Sequence, residues 1–430
     1  MNIFIAILFF SLAIGISKIS KKFFKSYFCP LSIYGFIWGT FISLFYLRLI
    51  PYYNLHNTTK IAIFGSYFAF IIGCLTIFIA SKKNEIKKRI FRKITTKEDI
   101  RYIKIIIAVT SVLGAIGSFK VFQIATNQFG FSGVLFGLVR QAWIKNNFNV
   151  SLLWGILISF NFIAAILSGY FMAIKSYKYL FCYLPFISTL MQNLVWGGRA
   201  SLLSLLLFYL FSYILTKKFL KSEDKEKKYL ILIGVLIFVF FSIAYVIWFL
   251  RGGASFGRFI VEQYGYAIPP QFYDIYYRTG SLAALDYHIT HHSGKYFWGV
   301  NLFYPIIHQF ERFGLIDKQN VLQGKDLPIV QIPVKVNIYS YLRAVYDDFG
   351  LVGTIVIPYL IGIWSTLMYI YSFKKPNLFR IMILTFIYVF LVTSVTEYYF
   401  YRTSFWISFF VGIIIVGFKK ILRKISLVKQ

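Results

Sequence analysis

The side chains of this sequence that could do chemistry are concentrated in the polar stretch of residues 251–348. That stretch holds five arginines and four of the five histidines, together with acids and many aromatic residues. A guanidinium binds phosphate or carboxylate through two parallel hydrogen bonds, and a histidine or a carboxylate can accept a proton near neutral pH. These residue types therefore predict a site that binds an anionic group and moves a proton. The cationic and imidazole side chains concerned are Arg251, Arg258, Arg278, Arg312, Arg343, His288, His291, His292 and His308.

A metal site is the alternative use of these histidines. Asp286 precedes a His288-x-x-His291-His292 spacing, and both residue types are common zinc ligands. The spacing lacks the glutamate of the H-E-x-x-H motif of zinc enzymes, so we expect neither a metal ion nor another cofactor. One of these histidines, His292 in our assignment, is then expected to act as a base.

Other familiar signatures of catalytic sites do not occur in the sequence. There is no G-x-S-x-G motif and no P-loop, so nothing supports nucleotide chemistry. The three cysteines fall in or beside apolar runs and lack any disulfide or zinc spacing, so they are expected to be small buried hydrophobic residues. They are Cys29, Cys74 and Cys182.

Two adjacent acids end the polar stretch. Tyr339, Arg343 and Tyr346 lie at helical spacing, which predicts a helix that runs up to Asp347 and Asp348. An apolar run begins directly after them, and the dipole at the start of a helix favours negative charge. One acid is expected to cap that helix, which leaves the other available for chemistry.

The elements that must position these residues are membrane helices. Of the 430 residues, 58% are hydrophobic and only 14% are charged, and the mean hydropathy is +0.68. A soluble domain carries about 25% charged residues. Apolar runs of about 17–22 residues recur, which is long enough to cross a bilayer. We therefore predict an all-α polytopic membrane protein with about eleven spans, at residues 2–17, 32–50, 61–80, 103–119, 151–174, 179–195, 200–216, 229–250, 351–372, 379–395 and 404–418.

The formal net charge of +31 predicts membrane topology and gives no support to nucleic-acid binding. Most lysines and arginines lie in short loops that fall on one side of the predicted spans, and such loops are cytoplasmic. The N-terminus is then outside, the C-terminus is cytoplasmic, and the first span is a retained anchor. The chain divides into a membrane bundle at 1–250, an extracytoplasmic loop at 251–348 and a second membrane bundle at 349–430.

The predicted outer side uses arginine where the cytoplasmic loops use mostly lysine. Arginine is the better ligand for phosphate, because its planar guanidinium forms two parallel bonds. The alternative for any single arginine is a snorkelling side chain or a pair with a nearby acid, such as Glu397 with Arg402. The outer arginines are Arg48, Arg140, Arg199, Arg251, Arg258, Arg278, Arg312, Arg343 and Arg402.

The predicted outer location limits which sugar donors could be used. Nucleotide sugars are cytosolic, so a donor outside must already be bound to the membrane. A sugar on a lipid pyrophosphate fits the residues, because arginines can stabilise the leaving pyrophosphate. A carboxylate or histidine can take the proton of the attacking hydroxyl group, and no metal is then required.

The layout and two short motifs of the chain resemble the Wzy-type oligosaccharide repeat unit polymerases of O-antigen, capsule and exopolysaccharide synthesis. The layout consists of many spans, a long outer loop in the C-terminal half and short final spans. The motifs are Gly197-Gly198-Arg199 followed by Leu202-Leu203, and Asn337-x-Tyr339 leading to Asp348-Phe349-Gly350-x-x-Gly353. The R-x10-G pattern of some members is absent from the loop, so roles are carried over only to Arg199, Asp348, Gly350 and Gly353.

The resemblance implies transfer of a growing glycan from undecaprenyl pyrophosphate to a new lipid-linked repeat unit, by a GT-C-like bundle in the cytoplasmic membrane. It implies undecaprenyl pyrophosphate-linked oligosaccharide and membrane lipid as partners, with a chain-length regulator and a flippase as further ones. The expected catalytic residues are Arg199, Asp348 and His292. Substrate binding is expected at Arg251, Arg258, Arg278, Arg343, Tyr339, Glu397 and Arg402.

Three alternatives remain at this stage. An O-antigen ligase-like enzyme would share the donor and use another acceptor, a flippase or exporter would move the lipid-linked oligosaccharide, and a scaffold would do no chemistry. A flippase should carry charges along a path inside its helices. The predicted spans hold few charges, which collect instead at one rim, and this favours an enzyme.

Overall fold

The computed structural model describes most of the predicted membrane helices and part of the polar stretch. The described residues are 2–48, 50, 52–82, 97–135, 138–139, 142, 148, 150–175, 179–196, 200–221, 234, 273–312, 314–317, 330–332, 335–336, 338–396 and 402–428. The predicted span at 229–250 lies outside them, except for residue 234, as does the first part of the polar stretch.

The described chain is almost entirely helical, as predicted. Its helices are α1 (Asn2–Phe24), α2 (Pro30–Tyr46), α3 (Asn57–Lys82), α4 (Lys97–Leu135), α5 (Leu152–Ile174), α6 (Leu184–Trp196), α7 (Ala200–Lys221), α8 (Tyr273–Thr290), α9 (Tyr304–Arg312), α10 (Leu342–Lys374), α11 (Leu378–Thr393) and α12 (Thr403–Val428). A 3-10 turn at Leu180–Cys182 precedes α6. The only described strands, β1 (Val330–Gln331) and β2 (Lys335–Val336), form a two-residue antiparallel pair.

Six of the described helices are long and apolar enough to cross a membrane, namely α1, α3, α4, α5, α7 and α10. Shorter apolar helices cover Pro30–Tyr46, Leu180–Trp196, Leu378–Thr393 and Thr403–Gly417. Ten of the eleven predicted apolar runs coincide with described helices. The prediction of an all-α chain whose helices are able to span a membrane is confirmed at this level.

The first of two compact units comprises Met1–Arg89, Tyr273–Lys375 and Phe390–Thr403. Its long helices α3 and α10 approach closely through bare backbone. A Cβ atom added at Gly73 or Gly362 would collide with a backbone carbonyl oxygen of the other helix. Small residues of this kind allow membrane helices to pack tightly.

Buried polar aromatic side chains join α2 to the start of α10 within the same unit. The hydroxyl groups of Tyr34 and Tyr341 lie 3.2 Å apart, and the indole N–H of Trp38 donates to Ser394 Oγ at 2.8 Å. The backbone N–H of Tyr341 also donates to the Ser394 carbonyl oxygen at 2.9 Å. These bonds fix the end of α10 that carries the paired acids.

The second unit comprises Ile90–Phe272, Pro376–Val389 and Ser404–Gln430. A buried amide connects three of its helices. Asn161 Nδ2 on α5 donates to Ser118 Oγ on α4 at 3.1 Å, and Ser188 Oγ on α6 donates to Asn161 Oδ1 at 2.8 Å. Polar side chains hydrogen-bonded in this way hold helices together in an apolar medium.

Helix α10 is broken at Gly350, where φ is 64° and ψ is −157°. The chain therefore forms a short helix up to the paired acids and then a new helix, as the sequence predicted. One detail of the prediction was wrong, because α10 begins at Leu342 and Tyr339 precedes it. The break frees the backbone carbonyls of Asp347 and Asp348, which would otherwise bond within the helix.

Candidate functional site

Asp347 is the centre of a cluster of nitrogen donors in the first unit. Nε2 of His288 lies 2.5 Å from its Oδ1, and Nε2 of His292 lies 3.5 Å from the same oxygen. The other oxygen, Oδ2, lies 3.5 Å from a terminal nitrogen of Arg343. All four side chains are largely buried, with exposed fractions between 7% and 16%.

Two helix faces bring the cluster together. His288 lies in the last turn of α8, and His292 follows it by one turn just beyond the helix end. Arg343 and Asp347 are likewise one turn apart, on the first piece of α10. Residues four apart share a helix face, so each segment contributes two neighbouring groups.

Hydrogen bonds fix the tautomer of His292. The backbone N–H of Gly294 donates to Nδ1 of His292 at 3.0 Å. That nitrogen must carry a lone pair, so the proton of the neutral ring lies on Nε2, which faces Asp347. Burial lowers the pKa of His292 below its ordinary value, although the carboxylate of Asp347 opposes this effect. The bond from Gly294 therefore leaves the Nε2 proton of His292 facing the carboxylate of Asp347.

His288 also directs its Nε2 towards Asp347, but its Nδ1 is left free of hydrogen bonds among the described residues. An ionised carboxylate only accepts hydrogen bonds, so the proton between His288 and Asp347 belongs to Nε2 of the ring. The second nitrogen, Nδ1, has no hydrogen-bond partner among the described residues. An imidazole held by a carboxylate at one nitrogen can accept a proton at the other.

The same three residues also have the composition of a metal site. One ligand atom from each of His288, His292 and Asp347 lies within 4.8 Å of the others, and this donor set suits transition metals. However, a metal at Nε2 of His292 would require a lone pair where the ring now carries its proton. It would also require the hydrogen bond from Gly294 to break. The bonding supports a proton-handling cluster better than a metal centre.

The other members of the predicted metal spacing lie elsewhere. Nδ1 of His291, just beyond the end of α8, is 2.8 Å from the carbonyl oxygen of Tyr287 in the last turn of that helix. Asp286 accepts bonds from the backbone N–H of His56 at 2.7 Å and pairs with Nδ1 of its ring at 3.0 Å. Asp286 therefore ties α8 to the chain before α3 and takes no part in the cluster.

Arg343 is buried without a full set of acceptors. Its side chain is 9% exposed, and its Nε has no hydrogen-bond partner in the described part of the chain. The contact with Asp347, at 3.5 Å, is longer than a good hydrogen bond. Its guanidinium carbon lies 5.1 Å from the ring centre of Tyr339. Burial raises the pKa of Tyr339 to about 12, although the positive charge of Arg343 acts in the opposite direction. A buried donor left unsatisfied costs about 1–3 kcal/mol, so this site is suited to an anionic ligand.

Asp348 has a different function from its neighbour. It is completely buried, and its Oδ1 accepts from the backbone N–H of Asn301 at 3.0 Å and from the side-chain amide of that residue at 2.9 Å. Its Oδ2 accepts from the backbone N–H of Leu302 at 2.8 Å. A carboxylate saturated in this way anchors a loop. The geometry favours Asp347, rather than the predicted Asp348, as the acid that does chemistry.

The loop anchored by Asp348 also uses the carbonyls freed by the helix break. The N–H of Phe297 donates to Asp347 O at 3.0 Å, and that of Trp298 donates to Asp348 O at 3.1 Å. The ring of Tyr296 stacks on His292, with centroids 5.4 Å apart. A Cβ atom at Gly350 would approach the Tyr296 ring to 3.0 Å, so the missing side chain makes room for this stacking.

The remaining predicted site residues are not part of the described cluster. Arg278 lies on α8, where it donates to Thr396 Oγ1 at 3.4 Å. Arg402 is described, whereas its predicted partner Glu397 lies outside the described residues, so their pairing stays a prediction. The predicted residues Arg199, Arg251 and Arg258 also lie outside the described residues.

Sequence reasoning singled out several members of the cluster without connecting them. His288 and Asp347 are 59 residues apart, so no local spacing links them. The sequence does contain one signal for the cluster, because His288 and His292 in one segment, and Arg343 and Asp347 in the other, are each four residues apart. The pairing of His56 with Asp286 was missed, since His56 lies far from the polar stretch.

No protein-family model, no curated protein and no solved structure matches this chain. Its function is therefore inferred from the chemistry of the cluster itself.

Proposed function

We propose that this protein is an integral membrane glycosyltransferase that polymerises lipid-linked oligosaccharide repeat units. It transfers a glycan from undecaprenyl pyrophosphate to the sugar of a new lipid-linked repeat unit. The observation that carries the proposal is the buried, incompletely paired guanidinium of Arg343 beside the His288–Asp347 pair. The guanidinium of Arg343 suits the phosphate of a donor, and the His288–Asp347 pair suits the hydroxyl group of an acceptor.

In the proposed reaction, His288 is the general base. The acceptor hydroxyl gives its proton to Nδ1 of His288, and its oxygen forms a bond to the anomeric carbon of the donor sugar. Asp347 orients the ring through Nε2 and stabilises the imidazolium that forms. His292, predicted as the base from the sequence, instead supports the carboxylate, since its Nε2 also faces Asp347.

Positive charge at Arg343 stabilises the leaving group. As the new glycosidic bond forms, the bond between the anomeric carbon and the pyrophosphate oxygen breaks, and its electron pair stays on the lipid pyrophosphate. Arg343 can donate two bonds to one phosphate group. Further arginines are assigned to the rest of the pyrophosphate and glycan as part of this proposal, namely Arg199, Arg251, Arg258, Arg278 and Arg402.

The proposal includes a membrane topology. Eleven spans in a GT-C-like bundle of the cytoplasmic membrane would place the N-terminus outside, the C-terminus in the cytoplasm and the cluster on the outer side. Support comes from the lysine-rich loops on one side of the predicted spans. Undecaprenyl pyrophosphate-linked oligosaccharide would reach the cluster from the outer leaflet after a flippase, and a chain-length regulator would limit the polymer.

Turnover by purified protein tests the proposal. Protein in nanodiscs would receive the lipid-pyrophosphate-linked repeat unit of its native pathway, with chelator and without nucleotide. We expect a ladder of longer lipid-linked glycans from the wild type and from His291→Gln, and no ladder from His288→Gln. His291 is the matched control because it lies three residues away and outside the cluster.

Other outcomes would overturn the proposal in distinguishable ways. Transfer of one glycan to a different acceptor lipid would identify a ligase. Movement of the intact substrate across a liposome membrane without a ladder would identify a transporter. Equal ladders from His288→Gln and the wild type would remove the assigned base.

A further inference from the structure

Exposed phenylalanine side chains and a buried carboxylate occur together at the short helix α9. Phe303, just before the helix, and Phe310, within it, are about half exposed. By contrast, the carboxylate side chain of Glu311 is only 5% exposed, and it pairs with Nδ1 of His308 at 2.7 Å. An exposed phenylalanine beside a buried carboxylate is unfavourable at a water-exposed surface, because apolar groups gain by leaving water.

The apolar exposure continues beyond both ends of the helix. The indole of Trp298 is 80% exposed, and the side chain of Leu315 is 66% exposed. Contiguous exposed patches of this kind mark binding surfaces for protein or membrane. We call this set the α9 surface, consisting of Trp298, Phe303, Phe310, Leu315 and Ile316.

The backbone holds Trp298 outward at a cost. Its φ of 50° lies in the left-handed region, which is unfavourable for a residue with a side chain. The bond from its N–H to Asp348 O, at 3.1 Å, helps to hold this conformation. The fold therefore maintains strain while presenting a large aromatic ring to its surroundings.

Asp348 sets the position of the α9 surface relative to the membrane-spanning part of α10. Its carboxylate binds Asn301 and Leu302, the residues that lead into α9. Val352, just beyond the break at Gly350, is 70% exposed on a helix long and apolar enough to span a bilayer. The ring of Trp298 lies 6.2 Å from that of Phe349, the residue after Asp348, so the α9 surface adjoins the point at which the exposed apolar surface of α10 begins.

We propose that the α9 surface lies in the bilayer, at the boundary between lipid headgroups and acyl chains. Its occupant is membrane lipid, because the exposed apolar surface continues from that of a spanning helix and ends in tryptophan, which prefers this boundary. The placement holds the cluster around Asp347 at the depth of lipid phosphate groups. An anionic lipid headgroup could then reach Arg343 by lateral diffusion.

This inference needs only a membrane-embedded chain and does not depend on glycosyl transfer. Its test can therefore fail while the turnover test succeeds, and the reverse also holds. The three native cysteines are buried in the structure, so single exposed cysteines can carry a spin label selectively. Suitable positions are Phe310→Cys and Leu315→Cys, with Lys295→Cys as the control on an exposed polar residue of the anchored loop.

Collision with oxygen and with a water-soluble nickel chelate measures the depth of each label in full-length protein reconstituted in vesicles of phosphatidylethanolamine and phosphatidylglycerol. We expect labels at positions 310 and 315 to collide more with oxygen than with nickel, and the label at 295 to show the reverse. Equal nickel accessibility at all three positions would overturn the proposal. Dipolar broadening between labels at position 310 would also overturn it, because a second copy of the chain would then cover the surface.

Native fluorescence gives a second measurement that needs no label. Lipids brominated near the headgroup quench tryptophans at that depth. The Trp298→Phe change keeps an apolar ring and removes the fluorescence of this one tryptophan. We expect quenching by the brominated lipids to fall more in this variant than quenching by aqueous iodide does. The opposite ratio would place Trp298 in water and contradict the proposed surface.

Discussion

The two compact units bury different kinds of polar groups. Among the described residues, every buried side chain with a formal charge belongs to the first unit, namely Asp286, Glu311, Arg343, Asp347 and Asp348. The buried polar side chains described in the second unit are serines, threonines and two asparagines. Burial of a charge costs far more than burial of a neutral amide, so this difference separates a unit that can do chemistry from one that holds helices together.

A buried polar atom without a hydrogen-bond partner has a different meaning in each unit. Nδ2 of Asn193 lacks a partner among the described residues, yet an unpaired neutral amide is a modest cost. The unpaired Nε of Arg343 belongs to a permanently charged group, which is retained inside a protein only when something compensates it. The comparison therefore favours the first unit, and particularly the cluster around Asp347, as the place of the proposed function.

The largest expected effect comes from neutralising the cluster. Asp347→Asn removes the charge that orients His288 and stabilises its protonated ring. We expect kcat per folded molecule to fall on the order of 10³- to 10⁴-fold. The initial rate of ladder formation measures this.

The control for that change is another buried acid of the same unit. Asp286→Asn weakens the bonds to His56 and leaves the cluster intact. Its rate should stay within a few-fold of the wild type. If both variants lost the same activity, buried charge in the first unit would be generally structural and the assignment of Asp347 would fail.

Substitution of the neighbouring acid, Asp348, should lower stability more than it lowers activity. Asp348→Ala leaves the buried N–H groups of Asn301 and Leu302 without an acceptor, which should lower the free energy of unfolding by about 3 kcal/mol. Denaturant titration in detergent, compared with Asp347→Asn, measures the difference. Per folded molecule, the Asp348→Ala protein should retain more activity than the Asp347→Asn protein. A stable but inactive Asp348→Ala protein would return the chemistry to Asp348.

The neutral network of the second unit should give a smaller effect. Asn161→Ala removes the bonds to Ser118 and Ser188, and hydrogen bonds between membrane helices contribute about 1 kcal/mol. We expect that loss in unfolding free energy and no change in turnover per folded molecule. Ser188→Ala, which removes only one of the bonds, is the milder companion variant. A large loss of turnover in both would show that the second unit also contributes to the reaction.

The sequence predicted the helices better than it predicted the site, for a physical reason. A membrane helix must contain a long apolar run, so ten of the predicted spans coincide with described helices. The pairing of His288 with Asp347 depends instead on how α8 packs against α10, across 59 residues of chain. No spacing in the sequence determines that contact.

The choice between the two acids shows the same limit. Asp347 and Asp348 are identical in type, and the sequence places both before an apolar run. Their difference arises from the break at Gly350 and from the loop that folds back to bind Asp348. Arg343 and His292 were both among the predicted site residues, yet which of their atoms are paired required the three-dimensional contacts.

The smallest expected effect concerns the charge state of the cluster. Burial lowers the pKa of His292 below its ordinary value of 6.5, so this ring should remain neutral at a pH where a free imidazole is already protonated. A titration of ¹⁵N-histidine-labelled protein by NMR, with His292→Gln to assign the resonance, measures this. A titration midpoint at or above 6.5 would contradict the lowered pKa of His292.

The sign of the effect on stability follows from the same shift. The folded chain binds fewer protons at His292 than the unfolded chain does, so stability rises with pH. The contribution of His292 is fully present above pH 6.5 and is lost as the pH falls towards its lowered pKa. The difference in unfolding free energy between the wild type and His292→Gln should therefore shrink on acidification. A difference that grows instead would mean that the folded protein holds a charged ring beside Asp347, and the two units would then differ even more in buried charge.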